Sequence, residues 1–236
     1  MRSSSALLLV AAVSIASFAG PARGVAVGPV TELSGPGDFT TPTTVIDFEG
    51  VLLDGTAANT LYSGLGVTFS NCSPLPCASA PVPIEDWTDP PLSRVTSSPT
   101  NVIATTDDYH GGGSEFSNFL DLFFASGALE VGAWFGNDQG IQPLLQIQLS
   151  VYDASDALIG FVLVDENANT SVDQFAGLRS NSTPFYRARF EHVLAQGDLS
   201  VVLDDVRFST PVPEPGSAAL LGLGLGLLTV RRRRHA

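Results

Sequence analysis

Two pairs of acidic residues are the strongest candidates for chemistry in the sequence. Asp47 and Glu49 flank Phe48 near the start of the central region, and Asp204 and Asp205 are adjacent near its end. Carboxylates suit calcium, which takes about six to eight oxygen ligands. Because the first and last strands of a β-sandwich commonly lie close together, we expect the four side chains to converge on a structural Ca²⁺ ion.

Asp204 is the most informative of the four. It shares a strand face with Val206 and Phe208, which predicts that it points inward. A buried carboxylate without a partner is costly, and calcium would remove that cost. Alternatively, Asp204 caps a neighbouring turn or pairs with Arg189 or Arg207.

Exposed aromatic rings could stack on sugars. Trp87 and Tyr109 are the candidate glycan-stacking residues, whereas Trp134 lies in an apolar segment and is predicted to belong to the core. Tyr109 lies in the segment 107–115, which carries acids, His110 and three glycines. A solvated hairpin tip is favoured there over an ion or sugar site.

No catalytic residues are predicted. The sequence lacks the Gly-x-Ser-x-Gly motif, and neither His110 nor His192 has a recognisable partner. A secreted hydrolase that acts on polysaccharide through paired carboxylates is the alternative function, since any acid-rich sandwich can supply two carboxylates.

The two cysteines, Cys72 and Cys77, are separated by four residues that include two prolines. In an exported protein this spacing predicts a small disulfide loop. A zinc site would need more ligands than the two histidines of the central region provide.

The central region is strongly acidic. The whole chain has a net charge of −13, but residues 27–210 hold 23 acidic residues against 5 arginines and no lysine, a net charge of −18. Such a surface repels nucleic acid and anionic lipid, because it offers few cations to phosphate groups.

Short strands are expected to position these residues. Apolar residues alternate with polar ones with a period of two, and no helical period persists in the central region. The fold class predicted is an all-β, antiparallel, jelly-roll-like sandwich. Residues 125–128 and 152–157 are expected to close two hairpins. The expected strands are 44–49, 66–70, 101–105, 118–124, 129–135, 145–151, 157–164, 186–191 and 199–208.

The N-terminus is typical of a secretory signal peptide. Arg2 precedes a short apolar run, and small residues follow it. We expect a signal helix over residues 1–26 that is removed by signal peptidase between residues 19 and 26.

The C-terminus combines three features in order. Val212, Pro213, Glu214 and Pro215 precede fifteen uncharged residues rich in Gly and Leu, and a basic cluster follows. This pattern predicts a transmembrane helix with a cytoplasmic end, because basic residues remain inside. The cluster that would stop transfer consists of Arg231, Arg232, Arg233 and Arg234.

The tail resembles the PEP-CTERM sorting signal, with Pro213, Glu214 and Pro215 as its recognition motif. The resemblance implies processing by exosortase, a membrane enzyme, and release to the cell surface or the extracellular polymer matrix. The sandwich pattern is more loosely similar to jelly-roll domains of tail-sorted proteins and carbohydrate-binding modules.

The predicted organisation has four parts. A signal peptide (1–26) and an N-terminal extension (27–43) precede a β-sandwich domain (44–209), which is followed by the sorting tail (210–236). The expected protein is exported across the inner membrane, transiently anchored, and non-catalytic. Its expected partners are signal peptidase, an exosortase-like enzyme and extracellular polysaccharide, but not nucleic acid.

Overall fold

The computed structural model of the protein describes most of the central region. Outside its described residues lie Cys72, Cys77, Trp87, Tyr109 and both terminal segments, so the disulfide, the glycan stacking and the two terminal helices stay predictions. The described residues are 24–40, 42–50, 55–71, 82–86, 96, 98, 100–105, 118–136, 146–167, 171–181, 183–193 and 200–211.

The described chain is all-β. No helix in it has the length and apolar character that a membrane crossing requires. Its strands, in chain order, are β1 (Val25–Val27), β2 (Val30–Leu33), β3 (Thr44–Ile46), β4 (Thr56–Ala57), β5 (Val67–Ser70), β6 (Pro83–Asp86), β7 (Asn101–Ala104), β8 (Phe119–Ala128), β9 (Glu130–Gly136), β10 (Gln146–Tyr152), β11 (Leu158–Asp165), β12 (Gln174–Ser180), β13 (Phe185–Val193) and β14 (Val202–Ser209).

The strands form two antiparallel sheets, which confirms the predicted fold class. Within the described residues, the order of the six-stranded sheet is β1-β11-β10-β13-β8-β5. The order of the eight-stranded sheet is β2-β12-β9-β14-β7-β6-β4, with β3 also paired to β14. Apolar side chains from both sheets fill the space between them. The largest fully buried ones include Phe48, Phe135, Phe185, Phe190 and Phe208.

Strand β10 shows how the sequence specifies these sheets. Ile147, Leu149 and Val151 are fully buried in the core, while Gln148 and Ser150 lie on the opposite face of the strand, where Gln148 is half-buried and Ser150 is buried. The predicted hairpin that follows is confirmed, because β10 pairs with β11 and the Asp153 N–H donates to the Ala157 carbonyl at 2.9 Å.

The other predicted hairpin is wrong. Strand β8 pairs with β5 and β13 in one sheet, whereas β9 pairs with β12 and β14 in the other. The chain therefore changes sheets at Leu129, whose N–H donates to the Ser209 carbonyl and whose carbonyl accepts from the Ser180 N–H, both at 2.9 Å. Residues 125–128, expected to form the turn, extend β8 instead.

Residues before position 44 also belong to the sandwich. Strand β1 adds to the edge of the six-stranded sheet through β11, and β2 adds to the edge of the eight-stranded sheet through β12. Gly28 connects them with a φ of 95°, which glycine adopts without strain. The folded domain thus already includes Val25, which pairs with Leu163.

Candidate functional site

The fold places the two acidic pairs side by side. Asp47 and Glu49 follow β3, which pairs with β14 through Ile46 and Val206. Asp204 and Asp205 lie within β14 itself. The four carboxylates, here called the acidic cluster, therefore meet where the early strand lies against the last one.

Ser98 connects three members of the acidic cluster. Its hydroxyl oxygen lies 2.7 Å from Asp204 Oδ1, 3.1 Å from Glu49 Oε1 and 3.2 Å from the main-chain oxygen of Asp47. Its N–H donates to Asp204 Oδ2 at 2.7 Å. Asp204 is fully buried. These bonds, together with a 2.6 Å bond from the Asp205 N–H, offset the free-energy cost of burying its carboxylate. Asp204 therefore holds the backbone at Ser98 through a hydrogen bond to its N–H.

Glu49 holds the start of β7. Its Oε1 accepts from the N–H groups of Thr100 at 2.8 Å and Asn101 at 2.7 Å, and its Oε2 accepts from the Thr100 hydroxyl at 2.9 Å. Burial by itself raises the pKa of Glu49, but these donors, together with Ser98, outweigh it and bring the pKa below the ordinary value of 4.5. Glu49 is therefore ionised near neutral pH and poorly suited to act as a general acid.

Backbone strain is concentrated in the same place. Phe48 and Asp205 have φ angles of 60° and 48°, values that residues other than glycine rarely adopt. The pairing of β14 with β9 shifts between Asp204 and Arg207, so Asp205 lies in a bulge. Strain of this kind persists only where surrounding contacts enforce it.

The ionised form of Asp205 is destabilised by burial and by its acidic neighbours. Burial raises the pKa of its carboxyl group, and the charges of Asp204 and Asp47 raise it further, while Arg207 at 3.5 Å opposes them. Asp47 is exposed, and among the described residues its Oδ1 accepts a long 3.3 Å bond from the Glu49 N–H. Of the two acidic neighbours, Asp204 raises the pKa of Asp205 more than Asp47 does. Among the described residues, the hydrogen bonds of Asp47 and Asp205 are longer than those of Glu49 and Asp204. No group of three or more histidine, cysteine or acidic residues in the described chain has the arrangement of a metal site.

Replacing Glu49 with Gln should lower stability at neutral pH by about 1–2 kcal/mol, because an amide NH₂ then faces donors that a carboxylate oxygen accepted. The stabilisation by Glu49 is present above its unfolded pKa and is lost as pH falls through its lower folded pKa. Urea titrations at several pH values should therefore show the difference between wild type and Glu49→Gln shrinking below pH 4.5.

Glu191→Gln is the matched control for that titration, since Glu191 lies on the other sheet and is half-buried. We expect its stability to stay within about 0.5 kcal/mol of wild type. A constant difference between wild type and Glu49→Gln down to pH 3 would contradict the role assigned to Glu49.

A second charged group lies on the outer face of the six-stranded sheet. Asp121, 2% exposed, accepts from Arg187 at 3.1 Å and from Arg189 at 2.6 and 2.8 Å. The guanidinium carbons of Arg187 and Arg189 lie 3.6 Å and 4.0 Å from the ring centres of Tyr152 and Phe119. Arg189, considered above as a partner for Asp204, therefore binds Asp121. The alternation in β8 and β13 places these residues on one face, but it does not reveal the pairing.

His192 has polar neighbours that the sequence did not reveal. Its Nε2 lies 3.1 Å from the Ser200 carbonyl oxygen, and its Nδ1 lies 3.5 Å from Glu166 Oε2. Burial lowers the pKa of His192 to about 4, so the ring is neutral at pH 7. Since Nε2 bonds a carbonyl and not a hydroxyl, His192 does not have the geometry of a base that activates serine.

Trp134 is partly buried on the outer face of the eight-stranded sheet. It packs against a small apolar cluster separate from the main core and lies 5.5 Å from the ring centre of Phe175. The cluster consists of Val102, Ala104, Val172 and Val202.

Comparison with known proteins identifies the sorting tail. Residues 211–234 match the family described as the PEP-CTERM protein-sorting motif. The tail is a PEP-CTERM motif. Such a motif implies export, membrane-anchored sorting and processing by exosortase. It covers the last part of the chain only and does not describe the sandwich.

Solved structures similar to this chain are distant. The K2 cleaved adhesin domain of Lys-gingipain has 13% identity and a TM-score of 0.43, covering 72% of this chain and 100% of that domain. A DUF4465 family protein from Bacteroides caccae has 10% identity and a TM-score of 0.32, covering 86% of this chain and 99% of that protein. No curated protein matches the chain.

Proposed function

We propose that the protein is a non-catalytic component of the cell envelope or extracellular matrix, delivered there by its PEP-CTERM tail. The match at residues 211–234 carries this proposal. Signal peptidase removes the N-terminal segment, the apolar tail anchors the chain with Arg231–Arg234 in the cytoplasm, and exosortase then releases the sandwich. The net charge of −18 over residues 27–210 suits a soluble module outside the cell.

The acidic cluster supports a binding or structural role over catalysis. Glu49 and Asp204 use their oxygens to hold the backbone at Ser98, Thr100 and Asn101. A hydrolase of the paired-carboxylate type needs one carboxyl group free to protonate the leaving oxygen and a second to act as base or nucleophile. The depressed pKa of Glu49 does not fit the first role.

We further propose that calcium stabilises the acidic cluster and that the sandwich binds extracellular polysaccharide. A divalent cation near Asp47 and Asp205 would offset the repulsion that raises the pKa of Asp205. The main-chain oxygens of Asp47 and Phe48 lie beside these carboxylates and are of a type that calcium binds, although each accepts a hydrogen bond, from Ser98 and Asn101 respectively. Sugar stacking is assigned to Trp87 and Tyr109.

Thermal unfolding of the released protein tests the calcium proposal. We expect saturating CaCl₂ to raise Tm by about 5–10 °C relative to EDTA, as a ligand at 100 times its Kd would. The Asp47→Asn/Asp205→Asn variant should lose this response yet melt higher than wild type in EDTA, because the repulsion is gone. Glu191→Gln should respond like wild type.

Equal melting in CaCl₂, MgCl₂ and EDTA would contradict the calcium proposal. A glycan array probed with the same protein tests polysaccharide binding, and a loss of signal in Trp87→Ala or Tyr109→Ala would support the stacking residues. Cleavage of an arrayed glycan would overturn the non-catalytic proposal and favour the hydrolase.

A further inference from the structure

The sorting tail leaves the sandwich at a defined end, here called the tail-exit end. It comprises the end of β14 at Ser209, the sheet change at Leu129, the end of β12 at Ser180, and the starts of β13 and β11 at Phe185 and Leu158. Hydrogen bonds between Leu129 and both Ser209 and Ser180, and the pairing of Phe185 with Ala128, place most of these together. Strand β11 joins them because Tyr152, the partner of Leu158, also pairs with Arg187.

The tether between this end and the apolar tail is short. Only residues 210–215 separate Ser209 from the apolar run that begins at Gly216. At no more than about 3.6 Å per residue, this segment spans at most about 20 Å. Strand β8, with ten residues, is about 33 Å long at the usual rise of a strand. While the tail is in a membrane, the tail-exit end is therefore the part of the sandwich held near the lipid surface.

Exposed apolar side chains occur at this end. Leu158 is 53% exposed at the first position of β11, and Tyr186 is 38% exposed at the second position of β13. Val27, the last residue of β1, and Val45, the second residue of β3, are 45% and 41% exposed. Singly, such residues are ordinary on a protein surface. Their occurrence at the end that the tether holds near lipid is what gives them significance.

Two acids at the tail-exit end are paired with arginines. Asp156 pairs with Arg187 at 2.7 Å, and Glu130 is buried against Arg179 at 2.6 Å. Other acids at this end of the described chain are Asp38, which is exposed, and Asp153, which is half-buried; both accept from backbone N–H groups of their own turns. A headgroup with no net charge fits such a surface, whereas an anionic headgroup is repelled by the acidic domain behind it.

We infer that, before release, the tail-exit end rests on a zwitterionic lipid surface through Leu158 and Tyr186. Leucine supplies apolar area and tyrosine suits the membrane–water interface. The contact rests on the proposed function, because it requires the tail to be anchored. The contact would fix the orientation of the domain relative to the membrane. It would also hold the PEP motif at the level of the headgroups, where a membrane enzyme can reach it.

Hydrogen exchange on the full chain in phosphatidylcholine vesicles tests this inference. The comparison is the same preparation after a protease has cut the tail and freed the domain. We expect exchange in segments 153–158 and 183–187 to be at least threefold slower in the anchored chain, with no change in 171–174 at the other end of the sandwich. Leu158→Asp/Tyr186→Asp should abolish the slowing. Val25→Asp, on a residue that is 60% exposed farther from this end, should keep it.

The outcomes separate this inference from the function on which it rests. A chain that floats with the vesicles but exchanges at the same rate before and after cutting overturns the lipid contact alone. Slowing that appears only in phosphatidylglycerol vesicles, or only when exosortase is added, also overturns it. A chain that does not float with vesicles overturns both the contact and the anchored topology.

Discussion

Replacing Asp121 with Ala should destabilise the domain by about 3–5 kcal/mol, the larger of the two stability effects predicted for single residues. Asp121 is buried and is the common partner of Arg187 and Arg189. Both guanidinium groups lie over aromatic rings and are only 11% and 17% exposed, so they cannot move fully into water when the carboxylate is lost. Removing one member of a buried ion group typically costs this much, because it leaves charge unpaired.

Chemical denaturation at pH 7 measures this effect, and the chain offers a matched control. Asp156 also pairs with Arg187 but is 68% exposed, so Asp156→Ala should cost less than about 1 kcal/mol. Similar costs for the two variants would contradict the account, since the difference rests on burial. A second test replaces Asp121, Arg187 and Arg189 together with apolar residues, which should recover much of the lost stability.

Disrupting the PEP motif should have the largest effect on the protein's location. In Pro213→Ala/Glu214→Ala/Pro215→Ala the apolar run and the arginines remain, so we expect the chain to insert but not to be processed. The protein should accumulate uncut in the membrane, with at least a tenfold decrease at the cell surface and in the medium. Immunoblots of fractionated cells of the exosortase-containing host measure this.

Thr210→Ala is the control for the motif variant. Thr210 lies immediately before the matched residues 211–234 and directly after β14, so its replacement should leave processing unchanged. Release of the triple variant at the wild-type level would show that the motif is not what directs sorting.

The nine strands predicted from the sequence all occur in the structure, because their signal is local, but β1, β2, β4, β6 and β12 were not predicted. Alternation such as that of Ile147, Leu149 and Val151 records which face of a strand is buried, and the structure confirms it. Alternation could not predict which strands pair with each other. A tight hairpin and a change of sheet at Leu129 look alike in sequence, since the difference lies in contacts with Ser180 and Ser209, far along the chain.

The candidate site, like the fold, was predictable only in part. The proximity of chain ends in a sandwich predicts that Asp47 and Glu49 approach Asp204 and Asp205, and the structure places them together. Ser98, which connects them, carries no signal of its own. A single hydroxyl in a loop becomes significant only when folding places it 2.7 Å from Asp204. The buried Asp121 was missed because pairing with two arginines on another strand depends on register.

The intact mass of the wild-type protein, isolated from its native bacterium, tests the central claim most directly. We predict a mature chain that begins between residues 20 and 24, because β1 starts at Val25, and that lacks the segment from Gly216 to the C-terminal arginines. It should be recovered from the cell surface or the medium. An uncut chain of 236 residues in the cytosol, whose location does not change when residues 212–234 are deleted, would contradict the claim.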